Sequence, residues 1–194
     1  MSPRSAKQLE EIREQSKQAI LAAAMELFAQ HGFDATSISQ IAKKANVSKG
    51  LIYNYFEKKE DLMTHIVMNG LEEGNSIMEE MGSIESAEGK FRHLIEVSFQ
   101  YMKERTDYSK LMVGISLQLD SFPELTQIVE MRYQSLMPLF GGLLAEIGVP
   151  QPEEEALAIS AMLDGIGLQY LVLGDALPLD RIKAYIYQRI IHTD

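Results

Sequence analysis

The sequence predicts an all-α protein: an N-terminal helix-turn-helix domain of three helices, then a larger helical body, about nine helices in all. Three observations lead there. Apolar residues recur at three- and four-residue spacing in almost every segment, and no convincing two-residue alternation appears. Glycine, proline and asparagine interrupt the pattern where helices should stop. Between residues 36 and 56, two short helical patterns lie only three or four residues apart, the spacing of a helix-turn-helix unit.

The first helix begins within 8–16 and carries Ile20, Ala24, Leu27 and Phe28 as one stripe. It ends at "QHGF", where Gly32 suits a left-handed C-terminal cap and Phe33 folds back as the hydrophobic contact. Thr36 or Ser37 caps a second helix with Ile38, Ile41, Ala42 and Ala45 on one side. Asn46 tolerates the left-handed backbone of a tight turn. Ser48 then caps a third helix, whose Ile52 and Phe56 lie four apart on its buried side. A fourth runs from about Lys59 through Leu62 and Ile66 towards Met81. After the polar link "GSIESAEG", helices are expected at about 88–106, 108–119, 123–146, 153–173 and 179–192. Pro123 starts one of them and Gly148 with "VPQP" stops it. Glu153, Glu154 and Glu155 favour the positive end of the next helix, and Pro178 and Asp180 open the last. The organisation predicted is a tail over 1–15, a helix-turn-helix domain over 16–66 and a body over 67–194.

Charge divides along the same line. Residues 1–65 hold nine Lys/Arg and eight Asp/Glu, net +1; residues 66–194 hold nine and twenty, net -11. Within 36–59, Lys43, Lys44, Lys49, Lys58 and Lys59 face only Glu57. Such asymmetry suits a polyanion-facing module on an acidic body, although a plain solvated lysine face has the same composition. The absence of cysteine excludes disulfides and thiolate metal sites. No secretory leader is read at the start, and no apolar run approaches the ~20 residues needed to span a bilayer, so a cytoplasmic protein is expected.

The stretch "VSKGLIYNYF" (47–56) does not read as a simple core or solvent helix. Ser48 and the free amides of the helix start can donate to a phosphate, and Gly50 lets backbone come close. Lys49, Tyr53, Asn54 and Tyr55 project opposite Ile52. Lys49 can serve a phosphate or a guanine edge, and Asn54 can read an adenine. The tyrosines can hold phosphates or lay their rings on sugar. Lys59 on one side, with Thr36 and Ser37 on the other, is expected to clamp the flanking phosphates.

With these residues in view, "ILAAAMELFAQHGFDATSISQIAKKANVSKGLIYNYFEKKEDLM" resembles the DNA-binding domain of the tetracycline-repressor (TetR) family of bacterial transcriptional regulators, over roughly 16–66. Asn46 stands where that family usually has glycine. Leu51 occupies a position that often faces the bases, and it joins the candidate DNA contacts. Beyond residue 75 the likeness is one of architecture. The resemblance implies a homodimer binding a palindromic operator, released when a small apolar or amphipathic effector enters a C-terminal effector-binding and dimerisation domain. A physical argument supports the dimer. One short recognition helix touches few base pairs, whereas two about 34–36 Å apart read an inverted repeat. Ala158, Ala161, Gly165 and Leu168 on the penultimate helix, with Ile182, Tyr185, Ile186 and Ile190 on the last, form the predicted interface. The same stripes could instead face their own core.

The 11 methionines suit both core filling and an adaptable pocket. Phe99, Met102, Met112, Ser116, Met137, Phe140 and Gln169 are the candidate pocket lining. Pro138 should kink its helix. Gly70 and Gly74 weaken the fourth helix by about 1 kcal/mol each against alanine, either as a bend that transmits binding or as simple tolerance. Arg4 and Lys7 are read as a tail more readily than as minor-groove contacts. His31, His65, His93 and His192 have no metal-ligand spacing, and no P-loop, G-x-S-x-G or dinucleotide fingerprint occurs. No metal, cofactor or enzymatic activity is expected. An enzyme with a non-local site and a protein-interaction module remain the competing classes.

Overall fold

The computed structural model describes residues 6–191 as nine α-helices and two short 3-10 turns, with no strand among the described residues. The helices are α1 (Ala6–His31), α2 (Ile38–Lys44), α3 (Lys49–Tyr53), α4 (Lys59–Gly82), α5 (Ala87–Glu104), α6 (Thr106–Ser116), α7 (Pro123–Ile147), α8 (Pro152–Leu173) and α9 (Leu179–Ile190). The 3-10 turns are Leu119–Ser121 and Gly174–Ala176. Gly32, Asn46 and Gly148 adopt positive φ at the three expected stops. Gln151 does too, at the start of α8, and nothing in the sequence pattern signals it. The tail expected over 1–15 is helical from Ala6, because "AKQLEEIREQSK" is rich in good helix formers. Arg4 and His192 lie outside the described residues. Lys7 is exposed beside Glu11 on that first helix.

Two hydrophobic cores organise the chain. The first gathers Ile20, Ala24 and Phe28 of α1, Ile41 and Ala42 of α2, Ile52 of α3, Phe56, and Leu62, Met63, Ile66 and Val67 of α4. It does not stop where the helix-turn-helix pattern stops. Leu111 and Ile115 of α6, together with Phe122 and Leu125 at the start of α7, complete it. Phe33 bridges the two parts, 5.1 Å from the Phe28 ring and edge-on to Phe122 at 4.9 Å. The second core joins Met81, Phe91, Ile95, Phe99, Leu144, Ile159, Ile166, Leu179, Ile186 and Ile190.

Close helix approaches explain two glycines. A side chain at Gly70 would overlap the Tyr108 hydroxyl and fall 2.5 Å from its Cζ and 2.9 Å from Cε2, so α6 can cross α4 only because Cβ is missing. Burial there pushes the Tyr108 hydroxyl up to about 12. At Gly141 the backbone of Glu153 approaches to 3.5 Å of a would-be Cβ, which brings α7 against the start of α8. Pro138 sits inside α7, which continues as helix to Ile147.

Contrary to the sequence reading, α8 is long and apolar enough to cross a membrane by length and composition. Its apolar residues occupy two faces. Ala156, Ile159 and Ile166 enter the second core, whereas Leu157, Leu168, Val172 and Leu173 point outwards.

Candidate nucleic-acid interface and effector cavity

The N-terminal unit is tied down by its caps. The Ser37 hydroxyl accepts from the Gln40 amide, while Gln40 Oε1 accepts from the Ser37 amide at 2.7 Å, a closed capping box. Ser48 Oγ accepts from the Leu51 amide at 3.1 Å and so starts α3. Asp61 Oδ2 accepts from the amides of Glu57 and Lys58 and closes the start of α4. The spacing of Asp61 from that helix start is the signal by which the sequence could have revealed this cap.

On this frame the exposed face carries Ser48, Lys49, Gly50, Tyr53 and Asn54, all solvent-accessible. Tyr53 keeps 56% of its surface free. A Cβ at Gly50 would meet nothing nearer than Ser48 Oγ at 3.9 Å, so the chain's own packing does not demand glycine there. Lys43 and Lys58, counted in the lysine cluster but not among the candidate DNA contacts, are also exposed and free of ion pairs among the described residues, and they extend the positive surface. Lys44 is committed instead to Glu26 at 2.5 Å, and this hydrogen bond holds the Glu26 carboxyl below its ordinary value.

Five expected contacts are wholly or partly engaged by the chain itself. Thr36 is 1% exposed, and its hydroxyl donates inward to the Gly32 and Leu27 carbonyls, so it braces the turn rather than a phosphate. Lys59 Nζ donates to the carbonyls of Phe33 and Thr36 at 2.7 and 3.0 Å and lies 4.2 Å above the Phe33 ring. It is a strut between α4 and the α1–α2 turn. Tyr55 is half-buried against the first core, and Leu51 is half-buried beside the exposed face. Ser37 is exposed, but Gln40 engages its hydroxyl both as donor and as acceptor.

The body holds a cavity of about 580 Å³ between α4, α5, α7 and α8. Gly74, Ile77, Met78, Met81 and Gly82 supply one wall, and Met137 and Phe140 of α7 line it as expected. The other five candidates do not. Phe99 is buried in the second core, Met102 packs there beside Gly167, and Met112 packs on the first core. Ser116 is exposed with its hydroxyl turned back to the Val113 carbonyl, and Gln169 is exposed on α8. The sequence pattern marks helix faces but not which two helices stand apart, so Leu94, Arg132 and Leu163 went unrecognised as lining.

The predicted interface divides as well. Ala158, Ala161, Gly165 and Leu168 form an exposed stripe on α8, and Tyr185 of α9 is 58% exposed. Ile186 and Ile190, at 1%, are core residues, and Ile182 packs against the same core. Their i, i+4, i+8 stripe faces inwards because α9 lies across α5.

Comparison with known proteins agrees with this geometry. The family model "Bacterial regulatory proteins, tetR family" matches residues 20–66. The chain is 26% identical to the HTH-type transcriptional regulator YuxN of Bacillus subtilis over 179 residues, 88% of this chain and 60% of that protein. It is 30% identical to the fatty acid metabolism regulator protein of Bacillus subtilis over 128 residues, 66% of this chain and 65% of that one. Each alignment therefore spans less than two thirds of the relative's length. A transcriptional regulator from Saccharomonospora viridis, solved in complex with choline, shares the fold with a TM-score of 0.79 at 19% identity, covering 93% of this chain and 97% of that one. Residues 20–66, with their capped helix-turn-helix unit, thus match the tetR family of bacterial regulatory proteins, and the chain as a whole shares the fold of the solved regulator.

Proposed function

We propose that this chain is a ligand-responsive, DNA-binding transcriptional repressor, acting in the cytoplasm as a homodimer on a palindromic operator and released by a small-molecule effector. The observation that carries the reading is the exposed end of α3. Lys49, Tyr53 and Asn54 stand free beside Gly50, on a unit fixed by two serine caps and a shared core, while the rest of the chain is acidic. Phosphate contacts from Ser48 and the lysines fix register; Asn54 and Lys49 read base edges.

The outward face of α8 supports the dimer. Ala158, Ala161 and Gly165 let a second helix come close, and Leu157, Leu168, Val172 and Tyr185 supply apolar area that water would otherwise cover. Effector release runs through α4. Its first turns hold Leu62, Met63 and Ile66 in the N-terminal core, and its last turns form a cavity wall. An effector that binds one tilt of this helix better shifts the population away from the spacing that fits the operator.

Binding of the full chain to a palindromic duplex, titrated against salt, tests this reading. Affinity should fall with a log–log slope of about -0.9 per phosphate neutralised. Lys49→Ala and Tyr53→Ala should each abolish specific binding with helicity unchanged. Full binding by both variants would overturn the interface.

A further inference from the structure

The cavity walls are apolar, but its ends are not. At one end Arg132 reaches from α7 across to α4, with Nη2 3.5 Å from the place where a side chain at Gly74 would begin. At the other stands Lys90, on the first turn of α5, just past the Gly82 end of α4. Both are half-buried, and neither has an ion-pair partner among the described residues. Arg92, Lys103 and Arg181 also lack an ion pair among the described residues, but of the unpaired bases only Arg132 and Lys90 line this cavity. Arg105 is paired with Glu73, Lys110 with Asp107, Lys183 with Glu96 and Arg189 with Glu155, in a segment with more than twice as many acids as bases. A partly desolvated guanidinium left unpaired where carboxylates are abundant is available for a ligand.

The lining contains one carboxylate, Glu146. It lies fourteen positions along α7 from Arg132, about 21 Å at ~1.5 Å per residue. Charges so far apart are screened over a Debye length of ~8 Å, so Glu146 does not neutralise Arg132. It lies instead near the far end of α7, away from Arg132. Near Gly74 the cavity lining therefore carries the Arg132 guanidinium and no carboxylate. From there an apolar trough of Ile77, Met78, Leu136, Phe140 and Leu163 follows α4 from Gly74 to Gly82, about 12 Å.

We propose that the ligand of this cavity is an amphipathic monoanion, an apolar body of up to about 12 Å ending in a carboxylate or equivalent acid held by Arg132. The planar guanidinium accepts such a group on two parallel N–H donors, whereas a neutral head group leaves it unpaired and a cationic one is repelled. This inference names the effector class for the cavity and so rests on the effector reading given above.

Isothermal titration of the full chain, without DNA, with sodium decanoate, decan-1-ol and decyltrimethylammonium tests the charge preference at constant chain length. Decanoate should bind at least about tenfold more tightly than decanol, and the cation more weakly than either. Arg132→Gln, checked for unchanged helicity, should reduce the decanoate-to-decanol ratio to about two or less. Arg132→Lys, which keeps the charge, should retain a preference for decanoate. Equal binding of decanoate and decanol, preference for the cation, an undiminished ratio in Arg132→Gln, or no binding of any probe would each overturn the proposal. An operator-release assay separates the two readings. Arg132-dependent decanoate binding without release sinks the effector reading alone; release by neutral compounds independent of Arg132 sinks only the monoanion.

Discussion

Gly70 offers the sharpest test of the packing argument, because two physical effects of known size oppose each other there. In a helix interior, alanine is favoured over glycine by about 1 kcal/mol, so Gly70→Ala should stabilise α4 if nothing else intervenes. The new Cβ would, however, overlap the Tyr108 hydroxyl and approach Cζ and Cε2 to 2.5 and 2.9 Å, closer than real contacts allow. The ring must swing out of its packing against the first core, and such overpacking typically costs about 1–3 kcal/mol. The net expectation for Gly70→Ala is a loss of up to about 2 kcal/mol. In a Tyr108→Ala background the obstacle is gone, and the same change should gain about 1 kcal/mol. The sign reverses, giving a coupling of about 2 kcal/mol in a double-mutant cycle. Urea denaturation followed by far-UV circular dichroism, at one fixed protein concentration, measures all four variants. If Gly70→Ala raises the midpoint equally in both backgrounds, Tyr108 does not constrain that position and the account of the α4–α6 crossing is wrong.

Other expectations follow from the same contacts. Lys59→Met should lower stability by about 2 kcal/mol, because the Phe33 and Thr36 carbonyls each lose a charged donor; a variant of wild-type stability that has lost only DNA affinity would make Lys59 a phosphate contact after all. Burial, aided by the Lys17 charge and opposed by Asp61, holds His65 below its ordinary 6.5. Between the two values the unfolded chain binds the extra proton, so this stabilisation is complete above 6.5 and declines as pH falls towards the folded-state value. Urea midpoints measured across that range should drop less in His65→Phe than in the parent; parallel profiles would refute it. Ala161→Glu, on the exposed stripe of α8, should leave the chain monomeric in sedimentation equilibrium with its helicity intact; an unchanged mass would move the interface elsewhere.

Helix positions were legible because each stop is written in a residue type with few alternatives: Gly32, Asn46 and Gly148 all take the left-handed backbone that the reading required. The exposed end of α3 was legible for the same reason, since Ser48, Gly50 and the aromatic–amide mixture have no use in a core. Thr36 and Lys59 were misplaced because polarity says that a group needs partners but not that those partners are water or phosphate. Here the chain's own carbonyls satisfy both. The cavity was the least legible part. Whether Met112 or Met137 lines it depends on which helices are held apart, a long-range matter with no local signature. Likewise Ile186 and Ile190 make as good a stripe for an interface as for a core, and only the course of α9 over α5 decides.

The first core draws Leu111, Ile115, Phe122 and Leu125 from beyond residue 100 to cover the helix-turn-helix unit, and this limits how the chain can be recombined. A fragment cut at residue 66 would strip the apolar lid from Phe28, Phe33 and Ile66 and leave them wet. Chimeras that graft the helix-turn-helix unit onto another helical body must therefore carry α6 and the start of α7 with it, or supply an equivalent lid from the acceptor. The boundary where the family pattern ends therefore runs through a core and is no seam for exchange.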